Sequence, residues 1–376
     1  MKILFVMDQI DDLNNGATIS CLNFGKALKK LGHKVYYAGC GSLSENKFVF
    51  DEKKFGPIKT NLLHKEGICF AKPDDDFTRT FIRDFDIIHL CTPFELSQSI
   101  LKLAKKYDIP VTAGYHIQPE NATYSFGLKK NKDLNTKIYD KYRLFFNEIN
   151  HIHCPTKFIA DKLKEHGYNS KMHIFSNSIS DEFTYSKEDK PDKYKETFII
   201  TMVGKLTKEK GQSLLIDAVE NSKYEEFIQL VFAGDGPERM KLRKKGKKLS
   251  NKPFMKFYSR EDLKYLLSYT DLYVHTSNAE IESISCMEAM ACGLVPVIAD
   301  SPKSATPKFA LSKESLFKPN DADDLAEKID YWIEHTTLRQ EYEKKYAELI
   351  KDSYSMDKSV KQLEDMFNEA IKEVKM

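Results

Sequence analysis

Hydrophobic and polar positions alternate along this chain in blocks. Residues 3–7 form an unbroken apolar run, the pattern of a buried strand. Residues 17–31 then carry Ile19, Leu22, Ala27, Leu28 and Leu31 at helical spacing and stop at Gly32, and residues 35–38 are apolar again. This strand, helix, strand order recurs at 86–90, 94–107 and 109–113, and begins again at 151–154 and 156–166, which predicts a parallel sheet. A second series starts at residue 198, with strands at 198–203, 228–233, 272–275 and 295–298 and helices at 212–219, 238–249 and 283–292 between them. The chain closes with helical patterns at 338–351 and 356–374, the last with Val360, Leu363, Met366, Phe367, Ile371 and Val374 on one side. Such a helix needs a surface to cover.

The expectation is an α/β protein of two Rossmann-like, doubly wound domains. The first spans residues 1–179. Residues 180–196, rich in acids and lysines and holding a proline, read as a surface linker, and residues 197–355 make the second domain. The final helix, 356–376, is expected to cross back to the first. Doubly wound domains bind ligands at the carboxyl ends of their strands, so the two are expected to face each other across a cleft. A length of 376 residues fits two cores at roughly 150 residues each.

Composition removes several classes. With 30% charged and 41% apolar residues, 24 Phe and 19 Tyr, the chain is not disordered. Its longest uncharged apolar-rich stretch, residues 289–299, falls well short of the ~20 residues that span a bilayer. The apolar run at the start is too short for a leader core of ~7 to 15 residues, so a cytoplasmic location is expected. Seven Cys without a C-x-x-C pair read as buried apolar thiols rather than a disulfide framework or a zinc site. Charge is uneven: residues 1–178 carry 26 Lys and Arg against 20 Asp and Glu, the rest 32 against 36. A basic front half suits an anionic partner, but charge alone does not choose among nucleic acid, lipid and acidic substrate.

Two segments concentrate candidate chemistry. In residues 202–211 a strand ends at Gly204, where the backbone can approach a ligand, and Lys205 and Lys210 sit at its mouth, as a diphosphate would require. A Lys-rich surface loop is the plain alternative. In residues 279–299, Glu280 precedes a helix that starts near residues 283–285, and Glu288 lies about one turn inside it. Free amides at a helix start attract anions, and a carboxylate on either side can accept from hydroxyls, which together describe a sugar nucleotide.

With Ala233-Gly-Asp-Gly-Pro237, these segments resemble the GT-B-fold glycosyltransferases of family 4, which are retaining enzymes, over essentially the full chain. Asn15-Gly16, Phe70-Ala-Lys-Pro-Asp74, His116-Ile-Gln-Pro-Glu120, His151-Ile-His-Cys-Pro155 and Ser301-Pro-Lys-Ser-Ala-Thr306 are similar to bacterial cholesterol α-glucosyltransferases and related glycolipid synthases. The resemblance implies that Lys205, where many members have Arg, and Lys210 contact the donor diphosphate. It implies that Gly204, Ile284, Ser285 and Glu288 bind the donor, Glu288 through the ribose, and that Glu280 binds the transferred sugar. His116 would touch that sugar, and Gly16 would let the backbone approach the sugar or phosphate. Lys for Arg loses the planar fork.

The mechanism implied is metal-independent: negative charge grows on the leaving phosphate, toward which two lysines and a helix start are aimed. No cofactor is expected beyond the nucleotide-sugar donor, UDP-glucose. Asp84-Phe-Asp86 matches the D-x-D of a metal-dependent glycosyltransferase fold, but it precedes a buried strand and that fold needs no second α/β domain. Residues 128–143 hold Lys129, Lys130, Lys132, Lys137, Lys141 and Arg143, interleaved with Leu134, Ile138, Tyr139 and Tyr142. This basic amphipathic pattern suits the anionic inner face of the cell membrane, or else a solvated helix packed on its apolar side. Residues 239–248 carry seven basic residues in ten, a charged helix surface. No nucleic-acid module accompanies these patches. The expected activity is transfer of a hexose to a lipid hydroxyl of a sterol or diacylglycerol. A polysaccharide acceptor, a sugar-nucleotide epimerase and a binding protein without turnover are the alternatives.

Overall fold

The computed structural model describes residues 1–12, 15–65, 68–125 and 132–375. They form two compact units, one within residues 1–119, 132–177 and 356–375 and one within residues 120–125 and 178–355.

In the first unit, β1 (Lys2–Gln9), β2 (Lys34–Cys40), β3 (Lys47–Val49), β4 (Ile87–Leu90), β5 (Val111–Gly114), β6 (His151–Cys154) and β7 (Lys171–Ile174) make a parallel sheet in the order β3-β2-β1-β4-β5-β6-β7. Ile3 to Val6 are wholly buried, as a central parallel strand covered by helices on both faces requires. The strand order reverses between β1 and β4, the switch point where such sheets place ligands.

The C-terminal helix Met356–Lys375 belongs to this unit. Its Val360, Leu363, Met366 and Phe367 join Ile3, Phe5, Cys21 and Leu28 in one buried cluster. Phe367 lies edge-on to Phe5 with ring centres 6.5 Å apart. The helix is also tied by Glu364 to His33 at 2.9 Å.

In the second unit, β8 (Phe198–Val203), β9 (Ile228–Ala233), β10 (Phe254–Lys256), β11 (Leu272–His275), β12 (Pro296–Ala299) and β13 (Leu316–Phe317) pair in parallel in the order β10-β9-β8-β11-β12-β13. Here the order reverses between β8 and β11.

Two sequence readings change. Residues 180–196, expected as a linker, are packed into the second unit: Phe183 and Tyr194 are buried, and Lys187 and Lys190 meet Glu343 and Asp271 at 3.2 and 2.6 Å. Charges that look solvated in sequence find opposite charges on the domain they precede. Cys40 and Cys69 are half-buried, while the other five thiols are buried, with the sulfurs of Cys21 and Cys91 3.0 Å apart. Basic residues of 239–248 are partly neutralised, since Lys245 and Lys248 both pair with Asp217. Asp86 is structural: its carboxylate accepts from the Lys2 amide at 2.7 Å. Among the described residues no helix is long and apolar enough to cross a membrane.

Candidate functional site

The candidate residues of the second unit gather at its switch point. β8 ends at Val203, and Gly204 follows with φ +144°, a conformation that favours glycine. Beneath it lies the turn after β9. A Cβ on Gly234 would stand 2.0 Å from the Gly204 carbonyl oxygen, so only glycine lets the turn support this loop. The Leu206 amide then donates to the Asp235 carbonyl at 2.9 Å. The Ala-Gly-Asp-Gly-Pro run is therefore the base on which Lys205 is displayed.

Because β8 and β11 are neighbours, residues following β11 reach the mouth of β8. The Thr276 hydroxyl donates to the Lys210 carbonyl at 2.7 Å, and the Lys210 ammonium donates to Glu280 Oε1 at 2.5 Å. His275 Nε2 lies 3.4 Å from the same oxygen. Burial pushes the Glu280 carboxyl up, but Lys210 and His275 prevail and hold it at about 2. Burial likewise opposes the charge on Lys210, and Glu280 with Glu209 prevails, raising it. The pair is ionised at neutral pH. Glu280 is fixed from behind, its carbonyl accepting from the Ala305 amide at 2.9 Å, which is how the Ser-Pro-Lys-Ser-Ala segment enters the site.

The helix Ile284–Ala291 is capped by Ser283, whose hydroxyl accepts from the Cys286 amide at 3.4 Å. Ile284 is buried at its first position, and Ser285 Oγ accepts from the Tyr273 hydroxyl at 3.2 Å. Its amide end and dipole suit an anion. Glu288, one turn inside, is buried, which raises its carboxyl above the usual range; Arg260 offsets this in part, donating to Oε1 at 2.6 Å. Arg260 also meets Glu182 at 3.3 Å and lies over the Phe183 ring at 4.5 Å. Sequence reasoning missed Arg260 and Glu182. The available signal was weak: Arg260 follows Ser259, the N-cap of the helix Arg260–Tyr269, and nothing local ties it to residue 288.

The first unit carries the other candidates. Gly16 opens the helix Gly16–Lys30, capped by the Asn15 side chain, which accepts from Ala17 at 2.9 Å. A Cβ at Gly16 would meet nothing within 4 Å, so packing does not demand glycine and the space is open. His116 follows β5, and burial lowers it to about 4, so its ring is neutral at pH 7. Ring nitrogens of His89, His116 and His153 lie within 4.8 Å of one another. His89 is anchored on the Thr112 hydroxyl at 2.9 Å and His153 donates to the Phe175 carbonyl at 2.8 Å. Burial holds His89 at about 3 and His153 well below its usual value. The group is three imidazoles without a carboxylate, and burial keeps each ring neutral at pH 7.

Lys129 and Lys130 lie outside the described residues, as does the side chain of Lys132, whose backbone opens the helix Lys132–Phe146. Lys137 and Lys141 are exposed on that helix, together with Leu144, 71% accessible and one turn beyond Lys141. Arg143 is engaged with the protein, donating to the His166 carbonyl at 3.2 Å, and is withdrawn from the basic face. Tyr139 is buried, so the apolar side packs inward as well.

Two family models match the chain in tandem, Glycosyltransferase Family 4 over residues 14–183 and Glycosyl transferases group 1 over residues 185–349. The chain belongs to the family 4 glycosyltransferases. This glycosyltransferase is 26% identical over 312 residues to a GDP-mannose-dependent alpha-mannosyltransferase of Corynebacterium glutamicum, covering 79% of this chain and 72% of the relative. It is 24% identical over 326 residues to the alpha-monoglucosyldiacylglycerol synthase of Acholeplasma laidlawii, covering 79% and 80%. Its GT-B fold matches a crystal structure of Anabaena HepE in complex with UDP-glucose at a TM-score of 0.78, with 16% identity over 98% of this chain and all of that one. The catalytic domain of cholesterol-alpha-glucosyltransferase from Helicobacter pylori is 45% identical over 41% of this chain and 96% of that one, at a TM-score of 0.40 that carries no weight for the fold.

Proposed function

We propose that this glycosyltransferase moves glucose from UDP-glucose to the hydroxyl of a membrane lipid, a sterol or a diacylglycerol, with retention of anomeric configuration. The observation that carries the reading is the pairing of a half-buried Lys210 with the buried Glu280 at the switch point of the second sheet. It pairs a cation for a diphosphate with a carboxylate able to accept from sugar hydroxyls. Lys205, on the glycine-supported loop, shares the diphosphate; the helix start at Ile284 and Ser285 takes a phosphate oxygen; Glu288 takes the ribose.

In the reaction the bond from the anomeric carbon to the diphosphate oxygen breaks while a bond to the acceptor oxygen forms on the same face. The acceptor proton passes to the departing phosphate. Negative charge growing on that phosphate is met by Lys205, Lys210 and backbone amides, so this account gives a metal no task. His116, neutral, hydrogen-bonds to the sugar, and Gly16 leaves room for it.

The lipid acceptor is favoured by the diacylglycerol synthase among the relatives and by the exposed Lys137, Lys141 and Leu144, which suit peripheral binding at the anionic inner face of the cell membrane. A GDP-mannose donor is the second reading, favoured by the mannosyltransferase relative. The test incubates the protein with radiolabelled UDP-glucose or GDP-mannose and lipid extract, with and without EDTA. Label from UDP-glucose is expected in the organic phase regardless of EDTA. Transfer from GDP-mannose alone, loss with EDTA, or label only in water-soluble polymer or altered sugar would each replace the corresponding part of the proposal.

A further inference from the structure

Away from the donor chemistry, the first unit gathers another set of ligating groups. β6 opens with His151, and its parallel neighbour β7 puts Lys171 opposite that residue and His173 two positions on. His151 Nδ1 and His173 Nε2 are 2.9 Å apart. The C-terminal helix lays Glu369 and Glu373, one turn apart, along this edge. A carboxylate oxygen of Glu369 lies within 4.8 Å of a ring nitrogen of each histidine. Glu373 Oε2 sits 3.0 Å from the other nitrogen of His151 and accepts from Asn150 at 3.1 Å. Beside the group is an open polar hollow of about 350 Å³, lined by Asn150, His151, Ser170, Lys171 and Glu373 among others.

We propose that His151, His173 and Glu369 bind a divalent transition-metal ion of the zinc class, which staples the C-terminal helix to the edge of the first sheet. Two imidazoles and one carboxylate form the mixed nitrogen and oxygen set that Zn²⁺ accepts, with a fourth position left for water. Nitrogens bound to one tetrahedral Zn²⁺ stand about 3.3 Å apart, close to the present spacing of the two rings. Glu373 on the far nitrogen of His151 reproduces the carboxylate, histidine, metal relay that fixes a ligand's tautomer and orientation. The carboxylates of Glu369 and Glu373 compensate part of the cation's charge. Glu369 now pairs with Lys171, a side chain 58% exposed and free to turn into solvent when a metal arrives. The benefit is mechanical: the helix rejoins its unit only after the chain has passed through the whole second unit, and the metal bonds both parts directly.

The test is a Zn²⁺ titration of the full chain, stripped of metal with a chelator, followed by calorimetry and thermal melting. One equivalent is expected to bind, and Zn²⁺ at 100 times Kd should raise the melting of the first unit by roughly 5 °C or more. His173→Ala and Glu369→Gln should abolish both effects, and Glu373→Gln should weaken binding about 10- to 100-fold. Metal-free melts near that of wild type would show that these variants fold. His153→Asn, in the other histidine group, should bind as wild type. No uptake by wild type, unchanged binding by His173→Ala or Glu369→Gln, or loss of binding in His153→Asn would overturn the proposal.

Discussion

Replacing Arg260 by methionine would leave the Glu288 carboxylate buried without its guanidinium partner. The two groups are 2.6 Å apart, with the Glu288 side chain 4% exposed and that of Arg260 33%. Burial already raises the Glu288 carboxyl, and Arg260 is what pulls it back, so the substitution should raise it further. A protonated carboxyl no longer accepts from ribose hydroxyls as an anion. The loss of one charge-assisted hydrogen bond, about 1.5 to 3 kcal/mol, corresponds to roughly 10- to 150-fold in Kd. The sign of the pH effect follows: UDP affinity of Arg260→Met relative to wild type should fall as pH is lowered and the carboxyl takes up its proton. Stability should move the opposite way, because a carboxyl raised in the folded state penalises the fold as pH rises above its unfolded value. Calorimetric UDP titrations at pH 6, 7 and 8 decide it, with Arg260→Lys intermediate because the planar fork is lost but the charge is kept. UDP affinity of Arg260→Met equal to wild type at every pH would refute the reasoning.

Four further outcomes are expected. Gly234→Ala puts a Cβ 2.0 Å from the Gly204 carbonyl oxygen, so the lysine loop must shift; UDP affinity should fall about tenfold for a packing strain of ~1 to 3 kcal/mol, read by titration and urea melts. Glu280, held at about 2 in the folded state, contributes stability that is present above its unfolded value near 4.5 and lost as pH falls toward 2; Glu280→Gln should lack this part of the acid transition in pH-dependent denaturation. Phe367→Ala, fully buried against Phe5, should destabilise the first unit by ~3 to 5 kcal/mol in urea denaturation. Lys137→Glu with Lys141→Glu should reduce sedimentation with anionic vesicles while leaving UDP affinity unchanged, and undiminished sedimentation would remove that helix from membrane binding.

Much of the fold was legible because it rests on local pattern. Residues 3–7 and 198–203 read as strands since both faces of a central parallel strand are covered, and the last helix announced its apolar stripe through Val360, Leu363, Met366 and Phe367. The site was legible where residues share a segment, as Gly204, Lys205 and Lys210 do. The pairing of Lys210 with Glu280, 70 residues away, follows from β8 and β11 being neighbours, which sequence pattern alone does not state. Arg260 and Glu182 stayed hidden because an arginine at a helix start and a glutamate in a charged stretch look solvated until the fold sets Arg260 against both Glu182 and the buried Glu288. Residues 180–196 misled for the same reason, their partners Glu343 and Asp271 being distant in the chain. His151 and His173 become a pair only through the register of β6 and β7.

The most direct measurement is a crystal structure of the protein soaked with UDP. The account predicts diphosphate oxygens at about 2.7 to 3.2 Å from the ammonium of Lys205 or Lys210 and from the amides that open the helix at Ile284, with the ribose on Glu288. A nucleotide found away from these residues would contradict it.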